Sequence, residues 1–374
     1  MDFELSDDQV ALRDAATDLL GDRASLAAVR AHTESDAPYD KALWAAMVEQ
    51  GWLGVAIPES DGGLGLGLVE LAVLLEALGG HCAPAPYLPT VLAAGACQRA
   101  GLGGAVEALL SGDSIGCVGW TRRAGAVTAR RDGTGDGTGD GWLLDGRTDP
   151  VPYAPVANVA LIAATVGGEG GAAEPELFAV SLDEVGRPAR ETAMDVTRPL
   201  GWLRFDGTPA QRVGDASHAR ALLDHGAALT AAEMLGGAQA VLDMAVDYAK
   251  DRVQFGRPIG SFQAVKHRCA DMLVDVEGMR STAYWAAWSL GHDPADEASV
   301  AASTAKCWAS DASKRVMASG LQVHGGIGFT WEHDLHFFMK RAQLDQLEFG
   351  DASFHRARLT ALLRPRVERG ESVV

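Results

Sequence analysis

The order of local patterns along this chain constrains its fold more than any single motif does. Residues 1–112 and 216–374 carry apolar side chains at helical spacing, whereas residues 113–215 contain short β-rich runs separated by Gly, Pro and Asp clusters. Ser6 and Gln9 have the spacing of a capping box, which predicts a helix near the start. We therefore expect an α+β protein with an N-terminal helical domain (1–112), a middle β-barrel or sandwich domain (113–215) and a C-terminal four-helix bundle domain (216–374).

The last region carries the longest helical patterns. One helix is expected over residues 221–255, and a second begins after the Gly- and Pro-containing break at residues 256–260. Apolar side chains of the second helix alternate at spacings of three and four, which is typical of a helix packed in a bundle. These side chains are Phe262, Val265, Cys269, Met272, Val276 and Met279.

The charge balance limits the expected partners. The 374 residues carry a net charge of −18, so we expect neither nucleic acid nor an anionic membrane, since both require basic patches. The five cysteines are scattered and lack C-x-x-C spacing, which predicts neither disulfides nor a metal site. The acidic start and the lack of a long apolar run predict a cytoplasmic protein without a signal peptide or membrane span.

A glycine repeat at residues 133–141 suggests a phosphate loop or a calcium loop at first sight. A phosphate loop must open into a helix, but a strand-like segment beginning at Trp142 follows here. A calcium-binding EF-hand requires a closing Glu at a different spacing. The repeat is therefore expected to form a hairpin tip.

Two motifs in the C-terminal region suggest a nucleotide site. Arg252 and Phe255 are expected one helical turn apart, just before their helix stops, and an arginine there can donate two hydrogen bonds to a pyrophosphate. A lone arginine is more often a solvated surface charge. Further along, Gln322 lies at an expected helix end, and Gly325 and Gly326 would let the backbone approach a nucleotide closely. The same glycine pair also suits a helix C-terminus with nothing bound.

The complete motifs, Arg-x-Gln-Phe-Gly-x-Pro-Ile-x-x-Phe-Gln and Gln-Val-His-Gly-Gly-Ile-Gly-Phe, resemble the signatures of the acyl-CoA dehydrogenase flavoenzymes. That family has the same helical, β and four-helix-bundle order, so the resemblance extends over nearly the whole chain, although only the last third is specific. It implies an FAD whose ADP half is bound across a subunit interface. The residues that would line it are Arg252, Gln254, Phe255, Ile259, Phe262, Gln263, Gln322, Val323 and Gly326.

The segments that hold the flavin ring in that family are altered here. Residues 120–126 replace a Thr-Glu-Pro-x-x-Gly-Ser-Asp-like segment and contain no acid, proline or serine. Residues 147–153 replace a Trp-Ile-Thr-Asn-like segment, and their two prolines remove backbone donors. Thr148 is not expected to take over the role of the missing threonine.

Neither family position for the catalytic base holds a carboxylate. Phe349 occupies the position in the C-terminal turn, and Glu348 lies one residue early. The other position, 22 residues before Tyr248, is Gly226, and the arginine that usually follows it is Ala227. Glu233 and Asp247 lie on the same helix but out of register. We therefore expect no catalytic residue in this chain.

This combination resembles the non-catalytic subunit of the bacterial, sterol-degrading α2β2 acyl-CoA dehydrogenases. The resemblance implies α,β-desaturation of an acyl-CoA thioester, with a homologous partner subunit supplying the base and the flavin-ring pocket. An electron-transfer flavoprotein would accept the electrons. Sterol-derived thioesters are suggested only by the subunit pattern. Two alternatives remain open, namely a self-sufficient homotetrameric enzyme using Glu348 and a flavin-free structural or binding subunit.

Overall fold

The computed structural model of the protein describes residues 4–123, 125–132, 141–167 and 174–372. The predicted hairpin tip at residues 133–141 lies outside this part of the chain except for its last glycine. Six helices come first, namely α1 Asp7–Arg23, α2 Leu26–Thr33, α3 Lys41–Glu49, α4 Leu68–Gly80, α5 Tyr87–Arg99 and α6 Gly103–Leu110. Ser6 and Gln9 form the predicted capping box at the start of α1.

Six strands follow and form one sheet. They are β1 Gly116–Gly119, β2 Val127–Arg131, β3 Trp142–Pro152, β4 Val159–Val166, β5 Pro175–Ser181 and β6 Leu200–Gly214, with the short helix α7 Leu182–Val185 after β5. Their order is β1-β4-β2-β3-β6-β5, and the additional antiparallel pairing of β4 with β5 closes the strands into a barrel. The alternation of buried and half-exposed residues along β3 and β5 follows from this closure, because one face of each strand points inward.

The C-terminal part is helical again. It contains α8 Ala216–Asp251, a two-stranded hairpin of β7 Val253–Gln254 and β8 Arg257–Pro258, α9 Gln263–His292, α10 Ala295–His324, α11 Leu335–Asp345 and α12 Ala352–Glu368. Helix α10 buries mainly alanine and serine side chains, which allow its neighbours to approach closely. The sequence of helices, barrel and helical bundle confirms the predicted fold class.

The structure refines one detail of the sequence interpretation and corrects another. Met272, Val276 and Met279 of α9 are buried as expected, but Phe262, Val265 and Cys269 are only half-buried. The beginning of α9 is thus a surface, where Val274 is also 68% exposed. In addition, α8 ends at Asp251, so that Arg252 and Phe255 lie in a hairpin and not on a helix.

The described residues form two compact units, each built from separate stretches of the chain. The first contains residues 1–35, 68–83 and 227–374, and the second contains residues 36–67 and 84–226. In the second unit, α5 packs on β1, where the backbone N–H of Gly116 donates to Thr90 Oγ1 at 3.3 Å. A side chain at Gly116 would collide with Ala93 of α5.

In the first unit, α4 and α8 touch through their backbones. A Cβ atom at Gly236 would collide with the carbonyl oxygen of Glu76, and one at Gly79 would collide with that of Glu233. The Glu76 carboxylate is bound by the Arg280 guanidinium and accepts a 2.6 Å hydrogen bond from the hydroxyl of Tyr284, both on α9. Glycine is therefore required at this crossing, since any side chain would separate the two helices.

Within the described residues, no helix is long and apolar enough to cross a membrane. Nor do the described His, Cys, Asp and Glu side chains form a group of three that could hold a metal ion.

Candidate cofactor site

The first motif forms an exposed hairpin directly after α8. Val253 pairs with Pro258 and Gln254 with Arg257, which leaves Phe255 and Gly256 as a two-residue loop. Both loop residues have positive φ, 52° and 77°, as a type I′ turn requires. An aromatic residue in this conformation is strained by about 1 kcal/mol or more. Phe255 is nevertheless 91% exposed, so packing against the described residues compensates for little of that strain.

Aromatic and cationic side chains gather around this hairpin. The Phe255 ring meets that of Phe262 edge-on with centroids 6.1 Å apart, and the Arg257 guanidinium lies 4.2 Å from the Phe262 ring centroid. The Ile259 N–H donates to the Arg252 carbonyl at 2.8 Å, which folds the chain back toward the end of α8. Gln263, the first residue of α9, is exposed beside them. The structure therefore brings together most of the residues that the first motif predicts.

Charge around the hairpin differs from that of the chain as a whole. Arg252 and Arg257 are both exposed, and so are Lys266 and Arg268 on the first turns of α9. Gln254 is exposed too, with its amide nitrogen 2.8 Å from the neighbouring carbonyl of Val253. This cationic surface, on a chain of net charge −18, suits a phosphate-bearing ligand.

The second motif ends α10. Gln322 is exposed, whereas Val323 is buried and would reach a ligand only through its backbone. Gly325 has φ 63° and donates its N–H to the Leu321 carbonyl, which terminates the helix. A Cβ atom at Gly326 would meet open space, so this glycine is not required by packing. The chain then continues as the 3₁₀ helix Gly325–Phe329.

The two motifs meet at Tyr248 and His324. Their rings are stacked with centroids 4.8 Å apart and planes inclined by 27°. The backbone carbonyl of Tyr248 accepts the N–H of Arg252 at 2.9 Å, so the stack lies on the last turn of α8 before the first motif. The sequence interpretation did not count either ring among the site residues. Tyr248 lies four residues before Arg252, and His324 lies two residues after Gln322.

The side chains of residues 147–153, the barrel segment that differs from the family pattern, make contacts within the barrel itself. Thr148 is buried and its Oγ1 accepts the N–H of Leu203 at 3.3 Å, so that the hydroxyl serves the barrel itself. Arg147 lies over Trp202 at 4.3 Å from the ring centroid. Tyr153 is fully buried with φ 59°. Of the other altered segment, 120–126, residue 124 lies outside the described part of the chain.

The C-terminal turn is fixed by a buried lysine. Lys306 of α10 has no exposed surface, and its Nζ donates to the carbonyls of Gln346 at 3.1 Å and Gly350 at 3.0 Å. His355 donates through Nε2 to the Phe349 carbonyl at 2.9 Å. Phe349 itself is buried and has φ 53°. The turn at which the resemblance places a base is thus fixed by hydrogen bonds from Lys306 and His355 to its carbonyl oxygens.

Electrostatics of this turn centre on the same lysine. Burial lowers the pKa of Lys306 to about 8, and the carboxylates of Asp345, Glu348 and Asp351 partly oppose this shift. Burial, together with the Lys306 charge, lowers the pKa of His355 to about 3, so the imidazole stays neutral. Glu348 is therefore one of the counter-charges of Lys306. Sequence reasoning missed Lys306, although an isolated lysine among the alanines and serines of α10 was a usable signal.

The second position at which the resemblance places a base lies on α8. Gly226 and the buried Ala227 occupy the corresponding turn of α8. Glu233 forms a buried ion pair with Arg341 of α11 at 3.0 Å, each side chain 4% exposed. Asp247 is exposed and pairs with Lys250 at 3.0 Å. Both carboxylates of this helix that the sequence suggested are thus engaged in ion pairs.

Comparison with known proteins agrees with this geometry. The chain matches the acyl-CoA dehydrogenase N-terminal domain over residues 6–102 and the acyl-CoA dehydrogenase C-terminal domain over residues 216–363. It belongs to the acyl-CoA dehydrogenase family, whose members are FAD-binding oxidoreductases. This confirms the resemblance inferred from the two motifs.

Three members of the family illustrate which proteins this chain is similar to. Acyl-CoA dehydrogenase IpdE2 of Mycolicibacterium smegmatis is 35% identical over 340 residues, which cover 90% of this chain and 93% of that protein. The ChsE4-ChsE5 complex from Mycobacterium tuberculosis has a chain that superimposes with a TM-score of 0.87 at 32% identity, covering 97% and 99%. A variant of the Tcur3481-Tcur3483 steroid ACAD gives the same TM-score and identity, covering 96% and 99%.

Proposed function

We propose that this chain is the subunit of an FAD-dependent acyl-CoA dehydrogenase heterotetramer that binds the ADP end of the cofactor. A homologous partner subunit supplies the catalytic base and the flavin-ring pocket. The complex desaturates an acyl-CoA thioester, of which sterol side-chain thioesters are one candidate class, and passes electrons to an electron-transfer flavoprotein in the cytoplasm. The observation that carries this proposal is the strained and 91% exposed Phe255 in a cationic hairpin.

The residues around the hairpin fit the ADP end of FAD. Arg252 offers two donors for a pyrophosphate, Phe255 offers an exposed aromatic face, and Gly326 leaves room for close backbone approach. The remaining contacts would come from Gln254, Ile259, Phe262, Gln263, Gln322 and the backbone of Val323. Bound there, FAD would supply the hydride acceptor that α,β-desaturation needs, and the partner subunit would supply the base for the α-proton.

Two features support the absence of a base in this chain. Phe349 stands at the position in the C-terminal turn, and Glu348 contributes to the charge balance of the buried Lys306. At the other position, Gly226 has no side chain, and the nearby Glu233 is neutralised by Arg341. A carboxylate that already serves a buried cation is a poor general base, because moving it toward a substrate would leave that cation uncompensated.

The names of the two similar solved structures support a heteromeric complex and a steroid-type substrate. Both solved structures are named for two different proteins, and one is called a steroid ACAD. The exposed apolar surface at the start of α9, which includes Val274, is of the kind that obligate interfaces bury. Since each shared site needs one ring pocket and one ADP end, we expect two FAD molecules per four chains.

Purification alone and with candidate partner subunits tests the proposal. We expect the chain alone to be colourless or insoluble, and a co-expressed complex to be yellow and to desaturate acyl-CoA. Native mass spectrometry combined with the flavin-to-protein absorbance ratio should give two flavins per tetramer. A flavin-loaded active homotetramer would establish the self-sufficient alternative that uses Glu348. A complex that remains colourless would establish a flavin-free structural subunit.

A further inference from the structure

We propose that His324 is a positioning residue that fixes the two halves of the ADP-binding surface to each other. This inference rests on the proposed function and identifies the residue through which the motif at the end of α8 and the motif at the end of α10 act together. His324 does not itself touch the nucleotide in this proposal. Its imidazole sets the distance between Arg252 on one side and Gln322 on the other.

The imidazole is held in one orientation by α10 itself. It is only 3% exposed, and its Nδ1 lies 2.8 Å from the carbonyl oxygen of Gly320, to which it donates. Its flat face is stacked on Tyr248 of α8, 4.8 Å between centroids. The backbone carbonyl of Tyr248 accepts the N–H of Arg252 at 2.9 Å, so the ring stack fixes the last turn of α8, from which Arg252 emerges.

The chain after α10 folds around the same ring. A Cβ atom at Gly328 would lie 3.0 Å from the Cβ of His324, so this backbone passes directly against the histidine. His333 meets the His324 ring at 4.5 Å between centroids, and its own Nδ1 accepts the N–H of Leu335 at 3.2 Å. The segment from Gly328 to His333 therefore packs around the His324 ring.

Arg30 of α2 fixes the outer side of this segment. Its guanidinium donates to the Trp331 carbonyl at 2.7 Å and pairs with the Asp334 carboxylate. The segment after α10 is therefore held between Arg30 outside and His324 inside, while exposing the aromatic rings of Phe329 and Trp331. Removing the imidazole would free only the inner side of the segment, on which His324 stacks against Tyr248.

A positioning role for His324 can be recognised by comparing the single variants of His324 and Arg252 with the double variant. If His324 acts by placing Arg252, truncating His324 has little further effect once the Arg252 guanidinium is gone. If His324 only stabilises the fold, the two losses of FAD affinity multiply. Groups that orient ligand-binding side chains commonly contribute about tenfold or more to affinity, which sets the expected size.

The experiment measures FAD dissociation from the complex with its partner subunit for His324→Ala, His324→Phe, Arg252→Ala and the double variant. We expect His324→Ala to weaken FAD binding about tenfold. His324→Phe, which keeps a ring for Tyr248, should restore most of that loss. The double variant should bind as Arg252→Ala does. Multiplicative losses, or unchanged binding in His324→Ala, would overturn the positioning role.

A matched control exists at the end of α9. His292 is stacked on Trp288 at 4.6 Å, with its Nδ1 2.8 Å from the Trp288 carbonyl, which reproduces the local geometry of His324 away from the proposed site. His292→Ala should leave FAD binding unchanged. If His324→Ala fails to fold, Tyr248→Leu removes the other half of the stack, and its loss of affinity should be equally non-multiplicative with Arg252→Ala. Unchanged binding in Arg252→Ala would instead defeat the proposed function itself.

Discussion

The Nζ atom of Lys306 lies 3.0 Å from the carbonyl oxygen of Gly350, so a fully buried cation closes the turn that carries Phe349. A Lys306→Met variant keeps most of the unbranched apolar side chain but leaves the carbonyls of Gln346 and Gly350 without this donor. We expect the free energy of unfolding to fall by about 3–5 kcal/mol, as for breaking a buried charged group from its partners. Urea unfolding of the isolated chain measures this, and a loss below about 1 kcal/mol would contradict it.

The difference in unfolding free energy between wild type and Lys306→Met should depend on pH, because the pKa of Lys306 is lowered in the folded chain. Burial moves the pKa from its ordinary 10.5 to about 8 in the folded chain. Between these values the unfolded chain binds more protons than the folded chain, so this group's contribution to stability rises with pH. The difference in unfolding free energy between wild type and Lys306→Met should therefore grow from pH 8 to pH 10.5. If this difference does not change with pH, Lys306 keeps its proton in the folded chain over the whole range.

Turnover of the complex should survive the change Glu348→Gln. The carboxylate of Glu348 acts as a counter-charge for Lys306, and its loss should affect stability more than chemistry. A general base at this position would contribute about 10²–10⁴-fold to the rate. Steady-state kinetics with FAD content measured in parallel separates the two cases. A loss of that size with FAD still bound would return the catalytic role to this chain.

Phe255→Asn should change stability and cofactor binding in opposite directions. Asparagine is favoured at the first loop position of a type I′ turn, where Phe255 has φ 52°. The isolated chain should gain about 1 kcal/mol in unfolding free energy as the strain is relieved. The complex should lose FAD, because the exposed ring is removed. Thermal unfolding and flavin absorbance test the two effects separately, and an unchanged flavin ratio would remove Phe255 from the site.

Arg252→Ala and Gln322→Ala should each lower the FAD occupancy of the complex. An arginine bound to pyrophosphate contributes roughly 1.5–3 kcal/mol as a charged hydrogen-bond donor, hence about a tenfold or greater loss of affinity. Arg13→Ala is a suitable control, since Arg13 is an exposed arginine paired with its neighbour Asp14. Equal flavin content in all three variants would remove the cofactor assignment.

The sequence predicted the fold class and the location of the two motifs, and the structure confirms the fold. It did not distinguish core from surface along α9, because half-buried Phe262 and Cys269 have the same apolar spacing as buried Met272 and Val276. Hydrophobic periodicity reports which face is apolar, whether that face meets the same chain or another one.

The turn at residues 347–351 shows another limit of sequence reasoning. Comparison of motifs identified Phe349 at the base position, but the cation that fixes the turn comes from Lys306 on a different helix. Lysine is rarely buried, so the residue type alone predicts an exposed side chain for Lys306. Only the packing of α10 against the turn reveals its partners.

The glycine crossing of α4 and α8 also bears on how the chain is made. Helix α4 leaves the ribosome well before Gly236 is synthesised, yet its surface at Gly79 fits only against that later helix. Until α8 and α9 have both emerged, Gly79 lacks the backbone of α8 and the carboxylate of Glu76 lacks Arg280 of α9. The first unit can therefore be completed only after residues 227–374 have been translated, so its N-terminal helices wait for their partners during synthesis.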